Sequence, residues 1–366
     1  MLLRSKAISW AIAASATALT VGLVSCQGQT ENSSNPSGAA STSPSASPVV
    51  SEAVTLSGAG ASFPAPLYQR WFADFNQTNP SVTVSYQSVG SGAGVKQFTA
   101  GTVDFGASDV AMKDDEIKSV SKGVVMLPMT AGSIVVAYNL PDLKTPLKLS
   151  RQAYSDIFLG KIKKWNDPAI AKANADAKLP DLPINVVYRS DGSGTTAVFT
   201  KFLSAVSSEF KTKVGDGKTV NWPSGTGAKG NEGITAQVQQ NKGSIGYVEY
   251  GYAKQNGLQV ASLENKAGTF VEPSDASAQA TLAGVKLPDN LRAFITDPEG
   301  KDAYPIVTYT WLLAYKSYAD PNKVKALKAI VDYGLTEGQK VSSELGYVPL
   351  PADVVTKVKA AAATIK

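Results

Sequence analysis

The chain has 366 residues, 43% of them hydrophobic and 18% charged, with a formal charge of +5, a single Cys and no His. That length and composition suit two globular domains with real cores. The missing His excludes Ser-His-Asp and Cys-His catalysis and removes the commonest metal ligand. A single Cys excludes an internal disulfide and a zinc cluster, so the composition argues against an enzyme.

Arg4 and Lys6 precede a mostly apolar run of small residues, Ala7 to Val24. It ends in Leu23-Val24-Ser25-Cys26, which resembles a bacterial lipobox. Residues 1–25 therefore read as a lipoprotein signal peptide, and Cys26 as the lipid-carrying first residue of the mature chain. Ser and Thr interrupt the run, which only just reaches spanning length, so it does not read as a transmembrane helix. Residues 26–53 are rich in Ser, Pro, Thr, Gly and Asn and read as a disordered tether. A lipid, a tether and a globular body describe a protein held at the outer face of a membrane. The body is mildly basic without a long Lys/Arg run, which does not suggest nucleic-acid binding.

In chain order, Val54–Ser57 reads as a strand, followed by Gly58-Ala-Gly-Ala-Ser-Phe-Pro64 and a helix through Phe75 with Leu67, Trp71, Phe72 and Phe75 on one face. That helix start presents Ser62 and the N–H of Phe63. Ser81–Tyr86 alternates like a strand, Gly90-Ser-Gly-Ala-Gly94 follows as a loop around Ser91, and Val95–Ala100 reads as a helix. It lacks the Gly-Lys-Ser/Thr of a Walker loop. Thr102–Asp109 is a short apolar segment carrying Asp104 and Asp109. Val124–Met129 and Ser133–Tyr138 read as two buried strands, and Arg151–Leu159 as a helix. Gly160-Lys-Ile-Lys-Lys-Trp165 fits either a solvated loop or a cleft rim or contact surface.

Pro183–Tyr188 reads as a buried strand, and Thr196–Val206 as a helix capped by Ser193. The turn between them holds Arg189, Asp191, Gly192, Ser193, Gly194 and Thr195. Backbone N–H groups at such a helix start, with a forked guanidinium beside them, suit an oxyanion. Asp191 is placed to hold Arg189. The same residues also fit an ordinary capped turn with a surface Arg–Asp pair. Gly225-Thr-Gly-Ala-Lys-Gly230 matches GxGxxG by letter, but it follows Asn221–Ser224 rather than a core strand and does not read as a dinucleotide site. Gly243–Tyr250 and Ala303–Tyr315 read as strands, and Pro321–Tyr333 and Ala352–Ile365 as helices. Alternating strands and helices predict an α/β fold with largely parallel sheets and ligand loops at the C-terminal ends of strands. The Gly/Ser loops around Ser62, Ser91 and Ser193 together suggest a cage of hydroxyls and N–H groups for a small anion.

Gly58–Pro66, Val103–Asp109, Gly160–Trp165, Asp191–Thr195 and Ile245–Tyr250, in this order, resemble the periplasmic phosphate-binding protein of the high-affinity phosphate ABC transporter. The resemblance implies a two-domain clamshell of the periplasmic-binding-protein fold, with two hinge strands and the ligand in the interdomain cleft. Residues 54–130 with 305–366 would form the first domain, and 131–304 the second. Ser62, the Phe63 N–H, Ser91 and Asp109 would bind phosphate from the first domain. Arg189, Ser193, the Gly194 N–H and Thr195 would bind it from the second, with Asp191 behind Arg189. Ser62 stands where the family commonly has Thr, and the second loop lacks a further Ser and Gly, which leaves Ser91 as its ligand. The implied protein is a monomer without cofactor. It works with membrane permease subunits, outside the cytoplasm.

Phosphate near neutral pH keeps a proton that sulfate lacks, so Asp109 would accept that proton's hydrogen bond and discriminate by about 10⁴–10⁵-fold. Two rival readings are a secreted phosphoester hydrolase using Ser91 or Ser193, and a surface adhesin or sensor lipoprotein. The first would need a base that no His supplies, and turnover of a chromogenic phosphoester separates it from a binding protein.

Overall fold

The computed structural model describes residues 49–366. The expected signal peptide, Cys26 and most of the expected tether lie outside the described residues. The tether's end differs from expectation. Val50 is 3% exposed, and its carbonyl accepts a hydrogen bond from the Ser81 hydroxyl at 3.2 Å. An apolar β-branched residue here finds a core to enter, so the body begins before Val54.

The main sheet contains strands β1 (Val54–Gly60), β2 (Val82–Ser88), β3 (Phe105–Ser108), β4 (Val124–Tyr138), β5 (Asn185–Arg189), β6 (Thr226–Ala228), β7 (Ser244–Glu249) and β8 (Val307–Tyr315). Their spatial order is β2-β1-β3-β8-β4-β7-β5-β6. The fold is α/β, but the sheet is more mixed than the sequence suggests. Strand β1 is parallel to β2 and β3, and β5 is parallel to β6 and β7. Between these halves β8 runs antiparallel to β3 and β4, and β4 antiparallel to β7.

The segments expected as two strands are one strand of 15 residues, buried throughout. Its first part pairs with β8 and its last part, Ile134–Tyr138, with β7, so β4 carries the chain from one half of the sheet into the other. The chain re-enters β8 beside the middle of β4, where the Ile134 N–H donates to the Ile306 carbonyl at 2.9 Å. Pro128 does not end the strand, because the register shifts between Thr310 and Trp311 opposite it, and a bulge tolerates a residue without an N–H.

Helices α1 (Ala65–Thr78), α2 (Ser91–Thr99), α3 (Gly194–Val206) and α4 (Gly230–Gln240) follow β1, β2, β5 and β6. Each parallel half thus contributes two helix starts at the C-terminal ends of its strands. Helix α2 begins at Ser91 rather than Val95, so Gly90-Ser-Gly-Ala-Gly94 is a helix start and first turn, not a loop. Its small residues answer a steric need: a Cβ on Gly94 would lie 2.3 Å from the Gly60 Cα. The run Gly160–Trp165 sits at the other end of β5, where the Ile184 N–H donates to the Lys163 carbonyl. Lys161 pairs with Asp156 and Glu209, and Lys164 with Asp181, so this run does not border the Arg189 end.

The C-terminal helices α5 (Pro321–Leu335) and α6 (Ala352–Ala363) close the first half. Trp71 on α1 is 2% exposed, donates its indole N–H to the Gly338 carbonyl at 2.7 Å, and packs against Gly334 and Gly338. This contact seats the helix whose start carries Ser62. No helix among the described residues is long and apolar enough to cross a membrane. Trp71→Ala should lower stability by about 3–5 kcal/mol, as a cavity and an orphaned carbonyl appear together. Urea unfolding measures this, and a loss below about 1 kcal/mol would mean the helix is seated by other contacts.

Candidate functional site

Each expected site residue lies at a strand-to-helix connection. Ser62 and Phe63 lie between β1 and α1, Ser91 opens α2, and Asp109 follows β3. Arg189 ends β5, Ser193 caps α3, and Gly194 and Thr195 are its first residues. Every one of them is buried. The N–H groups of Gly194 and Thr195 have no partner within the helix by geometry and stand at the positive end of its dipole.

The two halves meet directly over these residues. The Gly92 N–H donates to the Gly192 carbonyl at 2.7 Å. The Thr195 hydroxyl donates to Asp109 Oδ2 at 3.4 Å. Glu116 pairs with Lys218 at 2.8 Å and Asp114 with Arg292 at 2.6 Å, closing the same seam further out. The approach demands glycine: a Cβ on Gly194 would lie 2.4 Å from Ser91 Oγ and 2.8 Å from Asp109 Cβ.

Arg189 is 4% exposed. Its Nε donates to Asp191 Oδ1 at 2.7 Å and its Nη2 to Oδ2 at 2.6 Å, which leaves Nη1 turned toward Thr195 Oγ1 at 3.4 Å. Burial works against the guanidinium charge, but the Asp191 hydrogen bonds outweigh it and the Arg189 pKa moves up. Burial likewise opposes the Asp191 charge, and the bonds from Arg189 and the Gly230 N–H carry its pKa below the usual carboxylate value. The pair is thus a fixed, internally neutral fork.

Asp109 has no such cation of its own. Burial pushes its carboxyl up to about 6, against hydrogen bonds from Thr310, Thr195 and Ser91 and the more distant Arg189 charge. The Thr310 hydroxyl holds Oδ1 at 2.9 Å, while Oδ2 has only the 3.4 Å contacts from Ser91 and Thr195. Oδ2 is therefore the oxygen free to take a stronger donor. Among the described residues, no group of three His, Cys, Asp or Glu side chains could hold a metal ion.

A model of the PBP superfamily domain matches residues 33–337. Phosphate-binding protein PstS of Pasteurella multocida is 47% identical over 315 residues, 85% of this chain and 91% of that protein. The chain belongs to the PstS family of phosphate-binding proteins. A relative of the same name from Methanocaldococcus jannaschii is 42% identical over 81% of this chain and 82% of its own. The fold matches a high-affinity periplasmic phosphate-binding protein solved with phosphate bound, at TM-score 0.69 and 22% identity over 84% of this chain and 93% of that one. It also matches a phosphate-binding protein from Stenotrophomonas maltophilia at TM-score 0.67 and 22% identity, over 84% and 94% of the two chains. The two-domain periplasmic-binding-protein architecture expected from the sequence is the one these structures share.

Sequence reasoning missed Asn231. It lies at the start of α4, fully buried, with its backbone N–H 3.0 Å and its side-chain Nδ2 2.8 Å from Ser62 Oγ. The signal was present in Gly225–Gly230, which forms short β6 and the turn into α4. It is a fourth glycine-rich helix start, and only its reading as a dinucleotide motif was open to rejection.

The raised Asp109 pKa has a sign that can be tested. The ligand-free folded state holds the Asp109 proton up to about pH 6, whereas the unfolded chain releases it near 3.8. Stability from this group is therefore lost as pH rises between those values. A rise from 3.8 to about 6 amounts to on the order of 3 kcal/mol at neutral pH. Asp109→Asn should raise the unfolding midpoint of phosphate-free protein near neutral pH and leave it nearly unchanged in acid. Equal midpoints at neutral pH would show that the carboxylate is fully compensated.

Proposed function

We propose that the chain binds inorganic phosphate outside the cytoplasm and delivers it to the membrane permease of an ABC transporter for import. Family membership supports the ligand, and the buried cluster of hydroxyls, helix-start N–H groups and one guanidinium supports the mode of binding. The ligand set is Ser62, the Phe63 N–H, Ser91 and Asp109 from one domain, with Arg189, Ser193, the Gly194 N–H and Thr195 from the other. The first domain takes in residues 54–130, extended back to Val50, with 305–366, and residues 131–304 form the second. The crossing of β4 between the two halves of the sheet supports a boundary near residue 130.

Because Asp191 already answers the Arg189 charge, the ligand is held mainly by dipoles that only the closed form brings together. Asp109 Oδ2 accepts the proton that phosphate keeps, and it meets sulfate as a buried like charge. The observation that carries this reading is the buried, cation-poor carboxyl of Asp109 facing the Thr195 helix start. Titration calorimetry on phosphate-stripped protein near neutral pH should give tight one-to-one phosphate binding and no sulfate heat. Asp109→Asn should bind sulfate measurably. Rejection of sulfate as complete as the parent's would remove Asp109 from the selectivity mechanism, and failure of the folded parent to bind phosphate would refute the function.

The protein acts without turnover, as a monomer, and is anchored by lipid on Cys26. Mass spectrometry of protein extracted from membranes should find a mature chain starting at Cys26 with the added mass of acyl chains. A processed chain with an unmodified Cys26 would dispose of the anchor.

A further inference from the structure

We infer that Asn231 sets the hydrogen-bond polarity of Ser62 across the cleft, so that the Ser62 corner accepts only an unprotonated ligand oxygen. The inference deepens the phosphate reading and rests on it.

A serine hydroxyl has one proton to give and two lone pairs to accept with. Ser62 Oγ accepts from the Asn231 backbone N–H at 3.0 Å and from Asn231 Nδ2 at 2.8 Å. Both lone pairs are therefore occupied. The amide cannot be turned the other way, because Asn231 Oδ1 accepts the Glu249 N–H at 3.0 Å, which fixes Nδ2 toward Ser62. The second hydrogen of Nδ2 points to Thr195 Oγ1 at 3.4 Å. Among the described residues, the Ser62 proton has no acceptor. Its one remaining interaction is donation.

Ser62 belongs to the half built on β1, whereas Asn231 starts α4 in the half built on β5 and β6. Tyr252, from the same half as Asn231, holds the Ser62 carbonyl through its hydroxyl at 2.7 Å. The donor character of Ser62 is thus imposed only when the halves are together. Asp109 supplies the opposite polarity, an acceptor that requires a protonated oxygen. The closed site then demands a tetrahedral anion with a bare oxygen at Ser62 and a protonated one at Asp109. Asn231 is a positioning residue in this scheme, acting through Ser62.

Titration of phosphate into phosphate-stripped protein tests this with Asn231→Asp, Asn231→Ala, Ser62→Ala and the double variant Asn231→Ala/Ser62→Ala. Asn231→Asp keeps the shape and the Glu249 contact but offers Ser62 a carboxylate acceptor, so phosphate affinity should fall by about 100-fold or more. Asn231→Ala should lose about 10-fold, and the double variant should bind no worse than Ser62→Ala alone. A residue that merely held the fold would show losses that add. If Asn231→Ala does not fold, Asn231→Ser, which also lacks the amide, takes its place in the same comparison. Additive losses, or parental affinity in Asn231→Asp, would overturn the role of Asn231 while leaving phosphate binding intact. A folded parent without phosphate affinity would overturn both.

Discussion

A carboxyl buried where two halves of a molecule meet is costly, and the architecture around Asp109 follows from that cost. In water the group would ionise freely; here burial lifts its pKa to about 6 despite three hydroxyl donors. The nearest strong cation, Arg189, is already engaged at two of its nitrogens by Asp191. What surrounds the carboxyl besides is a set of oriented dipoles. Dipoles act over short range and only in fixed geometry, so the proposed anion site depends on the placement of its helix starts rather than on net charge.

That placement depends on small residues. Gly92 and Gly192 meet backbone to backbone, and Gly194 lies against Ser91 and Asp109 with no room for a methyl group. Gly90, at φ +86°, starts α2 in a conformation that L side chains rarely adopt, with Asp191 close against it. In the sequence these glycines read as the loop around Ser91 and the turn before Thr196. In the structure most of them are contact surfaces, where a missing side chain lets two helix starts approach each other.

The sheet explains how the two halves are joined. Strand β4 belongs to both, pairing with β8 in one part and β7 in the other, and the chain returns into β8 beside its midpoint. Away from these two crossings the halves touch through non-covalent contacts, among them Glu116–Lys218, Asp114–Arg292, Asn231–Ser62 and the Gly92–Gly192 backbone pair. The aromatic anchor of Trp71 against the C-terminal segment fixes Ser62 from behind, while Asn231 and Tyr252 hold it from across the cleft.

Much of this was legible in the amino-acid order. Alternation located β2, β-branched content β5 and period-3.6 patterns α1, α3 and α5, and the Gly/Ser-rich turns marked the Ser62, Ser91 and Ser193 positions. Those signals are local, and local residues determine them. The merging of two expected strands into β4 was not legible, because Thr130-Ala131-Gly132 between them carries little strand signal of its own and is held extended by pairing with the distant strand β8. The boundary at Val50 was not legible either, since the pair Val49-Val50 at the end of a polar tether packs inside only if a core lies within reach. Asn231 escaped for the same reason: its chemistry lies in what it touches from the other half of the chain, 169 residues from Ser62. The sequence by itself determined the types of group in the site and the turns that carry them. Which groups converge, which lone pairs are already occupied, and which carboxyl is left without a cation are properties of long-range packing, and only the tertiary structure decided them.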